Sequence, residues 1–285
     1  MIMLNNSLRI FITAAELQSL TETAKKLYVS QPAISHAIKK LEDELGIRLF
    51  IRNKRSPLTL TEAGKDILAL AYQMADLENR LYQRAYAENH MMGGVLRVAT
   101  VPLGASLVMA RVLPAFHKQF PAVKVEMLEG TPLEVKNMVL NYQADLGIST
   151  SPYIELEHRL LMMDRMISIG RDGAVKVDLK EDNKNLVLCR VAYNSILEQL
   201  AGQEIDLSRS TVMEAASTQI NMIEEGNGIG VISELMLSTI PNQLVRGSVV
   251  PKMEMEISLI AHSFSELGAA AKEMADMILE RSISS

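Results

Sequence analysis

The chain has 285 residues, 48% hydrophobic and 22% charged, with a formal net charge of −5; at roughly 100–200 residues per domain it is expected to form two or three folding units. That composition excludes wholesale disorder and a collagen-like fibre, and no apolar run approaches the roughly 20 residues of a membrane-spanning helix. Met1 to Phe11 lacks a secretory-signal pattern, and the one cysteine, Cys189, cannot close an internal disulfide, so a reducing, cytoplasmic location with no membrane partner is expected.

The charge is unevenly spread. Residues 1–60 hold nine Lys or Arg against five acids, giving +4, whereas residues 61–285 sum to −9. A small basic head on an acidic body points to a polyanion-binding module attached to a part with another task.

In chain order, Leu20, Ala24 and Leu27 fall at spacings of four and three, predicting a short amphipathic helix with Ser19 and Glu22 as a possible capping box. Tyr28-Val29-Ser30 interrupts the pattern. A second helix then opens with Ser30 as N-cap and Pro32 in its first turn, carries Ile34, Ile38, Leu41 and Leu45 as its apolar stripe, and stops at Gly46. Two helices joined by a three-residue turn predict a helix-turn-helix whose second helix leaves Gln31, Ser35, His36 and Lys39 free to face a partner. Arg48–Arg52 and Leu58–Thr61 read as two short strands around the basic turn Asn53-Lys54-Arg55-Ser56-Pro57, which makes the head winged. A helix fits the major groove, where Gln31 can pair bidentately with adenine and Ser35 and His36 can reach base edges or phosphate. Lys39, Arg52, Lys54 and Arg55 are expected as phosphate anchors.

The run from Leu27 to Arg52, followed by Leu58-Thr59-Leu60-Thr61-Glu62-Ala63-Gly64, resembles the N-terminal domain of LysR-type transcriptional regulators. The match is close over about 60 residues and looser beyond. Thr23, where the family usually has alanine, and Gln18, where glycine is common, depart from the pattern at positions that bear on helix packing rather than on the groove-facing set.

From Thr61 to about His90 the chain has no proline and only Gly64 as glycine, and Ile67, Leu70, Met74, Leu77 and Leu81 alternate at spacings of three and four. This predicts a long helix with a seam that seeks a partner helix. The resemblance implies that this linker helix pairs two copies, as a dimer or tetramer, placing two reading heads on a pseudo-palindromic site.

Met91-Met92-Gly93-Gly94 breaks that helix. Strands are expected at Val95–Thr100, Val123–Leu128, Asp145–Ser149, Leu186–Ala192 and Ile229–Ser233, with helices at Ser106–Phe120, Leu133–Tyr142 and Thr218–Glu225 between several of them. The alternation predicts a mainly parallel sheet covered on both faces. Met162–Ile169 and Glu256–Ser263 could cross between two lobes. The resemblance implies such crossings in an effector-binding α/β domain similar to periplasmic binding proteins, with a C-terminal helix at about Ser265–Glu280 returning to the first lobe. The expected fold class is thus α plus α/β: a winged helix-turn-helix over 1–61, a linker helix over 62–90 and a two-lobed domain over 91–285. Lobe I would take about 94–162 and 264–285, and lobe II about 163–263.

Open parallel sheets bind ligands beyond the carboxyl ends of their strands. Thr100, Pro102 and Ser106 follow the first strand, Thr131 the second and Thr150 the third, and Thr218 opens a helix, so these six are the candidate contacts for a small anionic or polar effector. Each hydroxyl taken alone reads more readily as a helix cap than as a ligand contact. The five histidines are scattered and no cysteine cluster exists, so no metal or cofactor is expected. Gly226, Gly228 and Gly230 stand in helix-to-strand order, the reverse of a dinucleotide fingerprint. The expected function is a ligand-responsive, sequence-specific regulator that binds double-stranded promoter DNA and engages RNA polymerase, and not an enzyme. A metabolic enzyme or an architectural DNA protein with a winged head stays open as the alternative.

Overall fold

The structure, a computed structural model, describes residues 6–51, 57–88, 94–151, 153, 155–173, 175–180 and 185–282. The head comprises α1 (Asn6–Leu17), α2 (Leu20–Leu27), α3 (Gln31–Leu45) and a two-stranded wing, β1 (Phe50–Ile51) and β2 (Thr59–Leu60). Its core gathers Phe11, Ile34, Ile38, Leu41, Leu49 and Phe50, with the Phe11 and Phe50 rings meeting edge to face at 5.5 Å. Leu45 departs from its expected place on the stripe. As the last residue of α3 it lies outside the core cluster and is 43% exposed, while the carboxylate of Glu42 takes the inward position. The wing strands pair antiparallel, Phe50 opposite Leu60 and Ile51 opposite Thr59, shorter than the sequence pattern implied.

The linker helix α4 (Glu62–Glu88) is a single element of 27 residues. Its start is fixed at Gly64, where a Cβ would collide with the Leu49 carbonyl; there Thr61 donates its hydroxyl to the Arg48 carbonyl at 2.7 Å and accepts from the Gly64 N–H at 2.9 Å.

The body begins with β3 (Gly94–Thr100), then a broken helix: α5 (Pro102–Gly104), a π-helical segment at Ala105–Met109 and α6 (Ala110–Gln119). One continuous helix over Ser106–Phe120 was expected. The chain continues through β4 (Val123–Glu129), α7 (Pro132–Leu140), β5 (Leu146–Thr150), β6 (Glu157–Gly170), β7 (Lys176–Asp178), β8 (Leu186–Cys189) and α8 (Arg190–Gln199). It closes with β9 (Thr211–Met213), α9 (Ala216–Glu224), β10 (Ile229–Ser233), α10 (Glu234–Ser238), β11 (Val245–Arg246), β12 (Ser248–Val250), β13 (Glu254–Ala261) and α11 (Ala269–Ser282).

The main sheet has the order β4-β3-β5-β13-β6-β10-β8-β9. β3, β4 and β5 are mutually parallel at one end, and β8, β9 and β10 at the other. Between them run two antiparallel strands, β13 and the 14-residue β6. The first part of β6 pairs with β13 and the last part with β10, so β6 spans both ends of the sheet; strands stand where the sequence expected Met162–Ile169 and Glu256–Ser263, with β6 starting earlier, at Glu157, and β13 running over Glu254–Ala261. A core around Leu96, Phe116, Leu146 and Ile278 fills the β3 end. Two clusters, one around Leu188 and Ile196 and one around Ile169 and Ile223, lie at the β10 end. The expected strand Leu186–Ala192 stops at Cys189. The apolar run continues into α8, where Ala192 and Ile196, four residues apart, face inward at helical spacing.

Candidate nucleic-acid interface and effector crevice

Local rules fix the orientation of α3. The Ser19 hydroxyl accepts from the Glu22 N–H at 3.3 Å and starts α2. Tyr28 ends it in the left-handed region at φ 55 and donates its N–H to the Lys25 carbonyl. Ser30 then caps α3 by accepting from the Ala33 N–H at 3.4 Å, with Pro32 in the first turn. With Ile34, Ile38 and Leu41 buried, the opposite face presents Gln31, Pro32, His36 and Lys39 exposed and Ser35 half-exposed. Gln31 Nε2 donates to Ser35 Oγ at 3.1 Å. This pair, one helical turn apart, holds both side chains in one orientation. Arg52, Lys54 and Arg55 lie outside the described residues.

Sequence reasoning missed two residues here. Tyr28, 95% exposed, ends α2 in the turn that leads into α3. Glu42, 2% exposed, ties α3 to the wing: its Oε1 accepts from the Leu49 N–H at 2.9 Å and the Phe50 N–H at 3.3 Å, and its Oε2 from Arg48 Nη1 at 3.0 Å. The signal was a carboxylate eight residues before a strand, which reads as surface in any periodicity argument.

On α4 the expected seam divides. Ile67 turns toward the head core as a partly buried neighbour, whereas Leu70, Met74, Leu77 and Leu81 stand 49–59% exposed in one row. Ala71 and Tyr72, on the other side, are buried. Below them the helix meets the body: Asn79 Nδ2 donates to the Val95 carbonyl at 2.9 Å, and Asp76 and Arg80 share a small polar pocket with Tyr142, Asp145 and His262. The Tyr142 and His262 rings stack at 4.7 Å. Burial pushes the carboxyls of Asp76 and Asp145 up, the latter to about 6.

The six crevice candidates lie on two rims. The Gly130 N–H donates to the Thr100 carbonyl, and the Val101 N–H to the Ile148 carbonyl, which draws the ends of β4, β3 and β5 into one rim holding Thr100, Pro102, Ser106, Thr131 and Thr150. Thr100 is wholly buried and its hydroxyl donates to the Val101 carbonyl at 2.9 Å, so it braces the rim instead of standing open to solvent. Ser106 donates to the Pro102 carbonyl at 3.0 Å. Thr131 is the cap of α7: its N–H and hydroxyl both donate to Glu134 Oε2, at 2.8 and 2.9 Å, and they hold the Glu134 carboxyl below the usual range. Thr150 is half-exposed at the end of β5.

Thr218 belongs to the other rim, exposed in the first turn of α9. There both α8 and α9 start without a side-chain cap, at Cys189 and Ala215, leaving N–H groups at two helix N-termini that follow adjacent parallel strands. Burial pushes the Cys189 thiol up, which makes it a poor thiolate. Gln219, invisible to sequence reasoning, is fully buried beneath this rim and donates Nε2 to the Val187 and Val231 carbonyls, at 2.8 and 2.9 Å, clamping β8 to β10.

Among the described residues no group of His, Cys, Asp or Glu is placed to hold a metal ion, and no helix is long and apolar enough to cross a membrane.

Residues 5–65 match the family of bacterial regulatory helix-turn-helix proteins of the lysR type, and residues 90–282 match the LysR substrate binding domain. The chain is 36% identical over 285 residues to the uncharacterized HTH-type transcriptional regulator YoaU of Bacillus subtilis (strain 168), covering 98% of both chains. It is 42% identical over 134 residues to the HTH-type transcriptional regulator SsuR of Burkholderia cenocepacia, covering 46% of this chain and 43% of that one. Among solved structures, a full-length OxyR variant from Pseudomonas aeruginosa superposes with a TM-score of 0.69 at 20% identity, covering 95% of this chain and 93% of that one. The LysR family regulator CbnR, solved complexed with its target DNA, gives 0.62 at 22%, covering 97% and 98%. With a helix-turn-helix head, a substrate binding domain and full-length relatives in common, the chain belongs to the LysR family of transcriptional regulators, DNA-binding proteins of a kind that responds to small-molecule ligands rather than catalysing a reaction.

Proposed function

We propose that the exposed face of α3 reads promoter DNA in the major groove, with Gln31 and Ser35 on base edges, His36 on a base edge or phosphate, and Lys39 with Arg52, Lys54 and Arg55 on phosphates. Tyr28 joins them as a phosphate donor. The observation that carries this reading is the Gln31–Ser35 hydrogen bond on the side of α3 away from the head core. It presents an amide and a hydroxyl already oriented for an adenine edge. The row Leu70, Met74, Leu77 and Leu81 pairs with the same row of a second copy, since a contiguous stripe of large apolar side chains on a helix otherwise stays wet.

The two rims receive the effector. Ser106, Thr131, Thr150 and Thr218 supply hydroxyls, Pro102 shapes the wall, and Thr100 holds the first rim in place from beneath. The uncapped N-termini of α8 and α9 favour a small molecule with an anionic or strongly polar group. The protein works in the cytoplasm, needs no cofactor beyond that effector, and passes its signal to RNA polymerase at the promoter.

The test is retardation of the chain's own promoter fragment against a scrambled fragment. Gln31→Ala with Ser35→Ala is expected to erase the preference, each lost base contact being worth about 1–3 kcal/mol. Lys39→Ala is expected to weaken both fragments alike and to lower the salt slope by about one. Undiminished selectivity of the double variant would refute the reading face.

A further inference from the structure

A helix that packs on a sheet ordinarily does so through an apolar stripe, yet α4 meets the body through polar groups. Asn79 Nδ2 holds the Val95 carbonyl at the start of β3. Tyr142, set in the left-handed region at φ 57, lays its ring on that of His262 and packs against the cluster that contains Ala71 and Tyr72. The Tyr72 hydroxyl donates to Glu16 Oε1 of α1 at 3.3 Å and faces the side-chain amide of Gln143 in the body. Head, stem and body therefore meet along a few turns of α4.

At this joint lies the small polar pocket, a cavity of about 30 Å³. It has room for a water molecule and none for a metabolite, so what it can take up is a proton. From α4 it receives Asp76 and Arg80, 3.7 Å apart, with side chains 12% and 33% exposed. From the body come Asp145 ahead of β5, and His262 and Glu266 between β13 and α11. Asp145 accepts the Arg97 N–H at 2.7 Å, while the Arg97 guanidinium pairs with Glu126 at 3.2 Å. Two carboxyl groups carried by different parts of the chain are thus pressed together. Burial raises both, and the Asp76 carboxylate adds to the rise at Asp145, against the nearby charges of Arg80, Arg97 and His262. If the stem lifts away, Asp76 returns to water with Arg80 still beside it on the helix, and Asp145 loses a like-charged neighbour. Both then hold protons less tightly than when the joint is closed, so closing it takes up protons. The proton-linked part of docking is full in acid and is lost as pH rises through the docked values, about 6 for Asp145.

We propose that Asp76 and Asp145 form a proton-operated clasp between stem and body: mild acidification fastens α4 to the body and fixes the orientation of the head, and neutral pH frees it. The clasp shares no residue with either rim or with the exposed face of α3, so it stands whether or not those surfaces bind effector and DNA.

The joint is read in the full chain by double electron–electron resonance between nitroxides at Glu44→Cys in the head and Lys118→Cys in the body, both exposed positions. A Cys189→Ser background and dilution with unlabelled protein restrict the signal to distances within one chain. A single narrow distance is expected at about pH 5.5. By about pH 7.5 a second, broader population should appear, with the docked-to-free ratio falling about threefold or more; the ceiling is about tenfold per pH unit for each proton linked. Asp76→Asn and Asp145→Asn, neutral at every pH, are each expected to shrink this response and together to abolish it, leaving the narrow distance at both pH values; the asparagine oxygen at 145 can still accept the Arg97 N–H. Arg80→Gln, which removes the cation beside Asp76, is expected to enlarge the free population at about pH 7.5. His262→Gln is expected to leave the response in place. An unchanged far-UV spectrum shows that each variant is folded. A distance indifferent to pH, a response that survives the double asparagine variant, a smaller free population in Arg80→Gln, or a response abolished by His262→Gln would each overturn the proposal.

Discussion

Glu42 joins the reading helix to the wing, and its removal should cost more than any surface contact in the head. Glu42→Ala strips the acceptor from two N–H groups, those of Leu49 and Phe50, whose residues are 0% and 3% exposed and so cannot turn to water. Each orphaned donor costs about 1–3 kcal/mol, and the variant is expected to lose about 3–5 kcal/mol, a large part of the 5–15 kcal/mol available to a typical domain. Glu42→Gln separates this from charge. The amide oxygen can keep both N–H bonds, and Arg48, which loses its carboxylate partner, is 65% exposed and readily hydrated, so a loss smaller than that of Glu42→Ala is expected. Urea denaturation followed by circular dichroism, with hydrogen exchange at the Leu49 and Phe50 amides, measures both, and promoter retardation should fall with head stability. Equal losses in the two variants, or less than about 1 kcal/mol for Glu42→Ala, would refute the reasoning that buried backbone donors dominate here.

Three further outcomes follow from other sites. Burial, reinforced by the Asp76 carboxylate, raises the Asp145 carboxyl from 3.8 to about 6, against the opposing pull of the Arg97 N–H that donates to it at 2.7 Å. The folded chain therefore holds this proton more tightly than the unfolded one, and the stability it contributes is full below pH 3.8 and lost as pH rises through 6. Asp145→Asn should remove that slope and be about 1–3 kcal/mol more stable at pH 7; superimposable stability-against-pH curves for the two proteins would count against it. Leu77→Lys, which places an ammonium in the middle of the exposed row on α4, is expected to shift sedimentation from dimer to monomer with far-UV ellipticity unchanged, and an unaltered sedimentation coefficient would place the pairing surface elsewhere. Gly104→Ala introduces a Cβ against Thr100 Oγ1 and Ile148 Cγ2, the latter at 2.6 Å, so despite alanine's better helix propensity it should lower the melting temperature, with an overpacking cost of about 1–3 kcal/mol; a rise would mean that the rim relaxes freely.

The parts of the fold legible in the sequence are those governed by short-range rules. Ser19, Ser30, Pro32 and Gly46 punctuate α2 and α3 where local chemistry requires, and spacing alone turned Ile34, Ile38 and Leu41 inward. α1 escaped because Ile10, Phe11 and Ile12 are contiguous and show no helical stripe. The capping box of Thr131 and Glu134 was likewise present in the sequence, and it identifies Thr131 as a structural cap. In the crevice, residue type predicted where hydroxyls would gather, at the ends of strands, but not which would be buried: Thr100 is closed off by Gly104, three-dimensional packing that no one-dimensional pattern encodes. The same holds for Gln219, a polar residue in a helical pattern whose two acceptors come from strands 32 and 12 residues away. The bulge at Leu161 exists only in the pairing of β6 with a strand nearly a hundred residues downstream.

β6 is an unbroken spar of 14 residues shared by both ends of the sheet, with β13 lashed antiparallel to it. Two strands paired along their length join the ends of the sheet more stiffly than a single strap would, and their ladder is interrupted beside Leu161. A long stem such as α4 turns a small rotation at its base into a larger displacement at its tip. At 1.5 Å per residue its 27 residues extend roughly 40 Å, so a turn of about 5° at the base carries the far tip through roughly 3.5 Å, comparable to the 3.4 Å rise between adjacent bases along one strand.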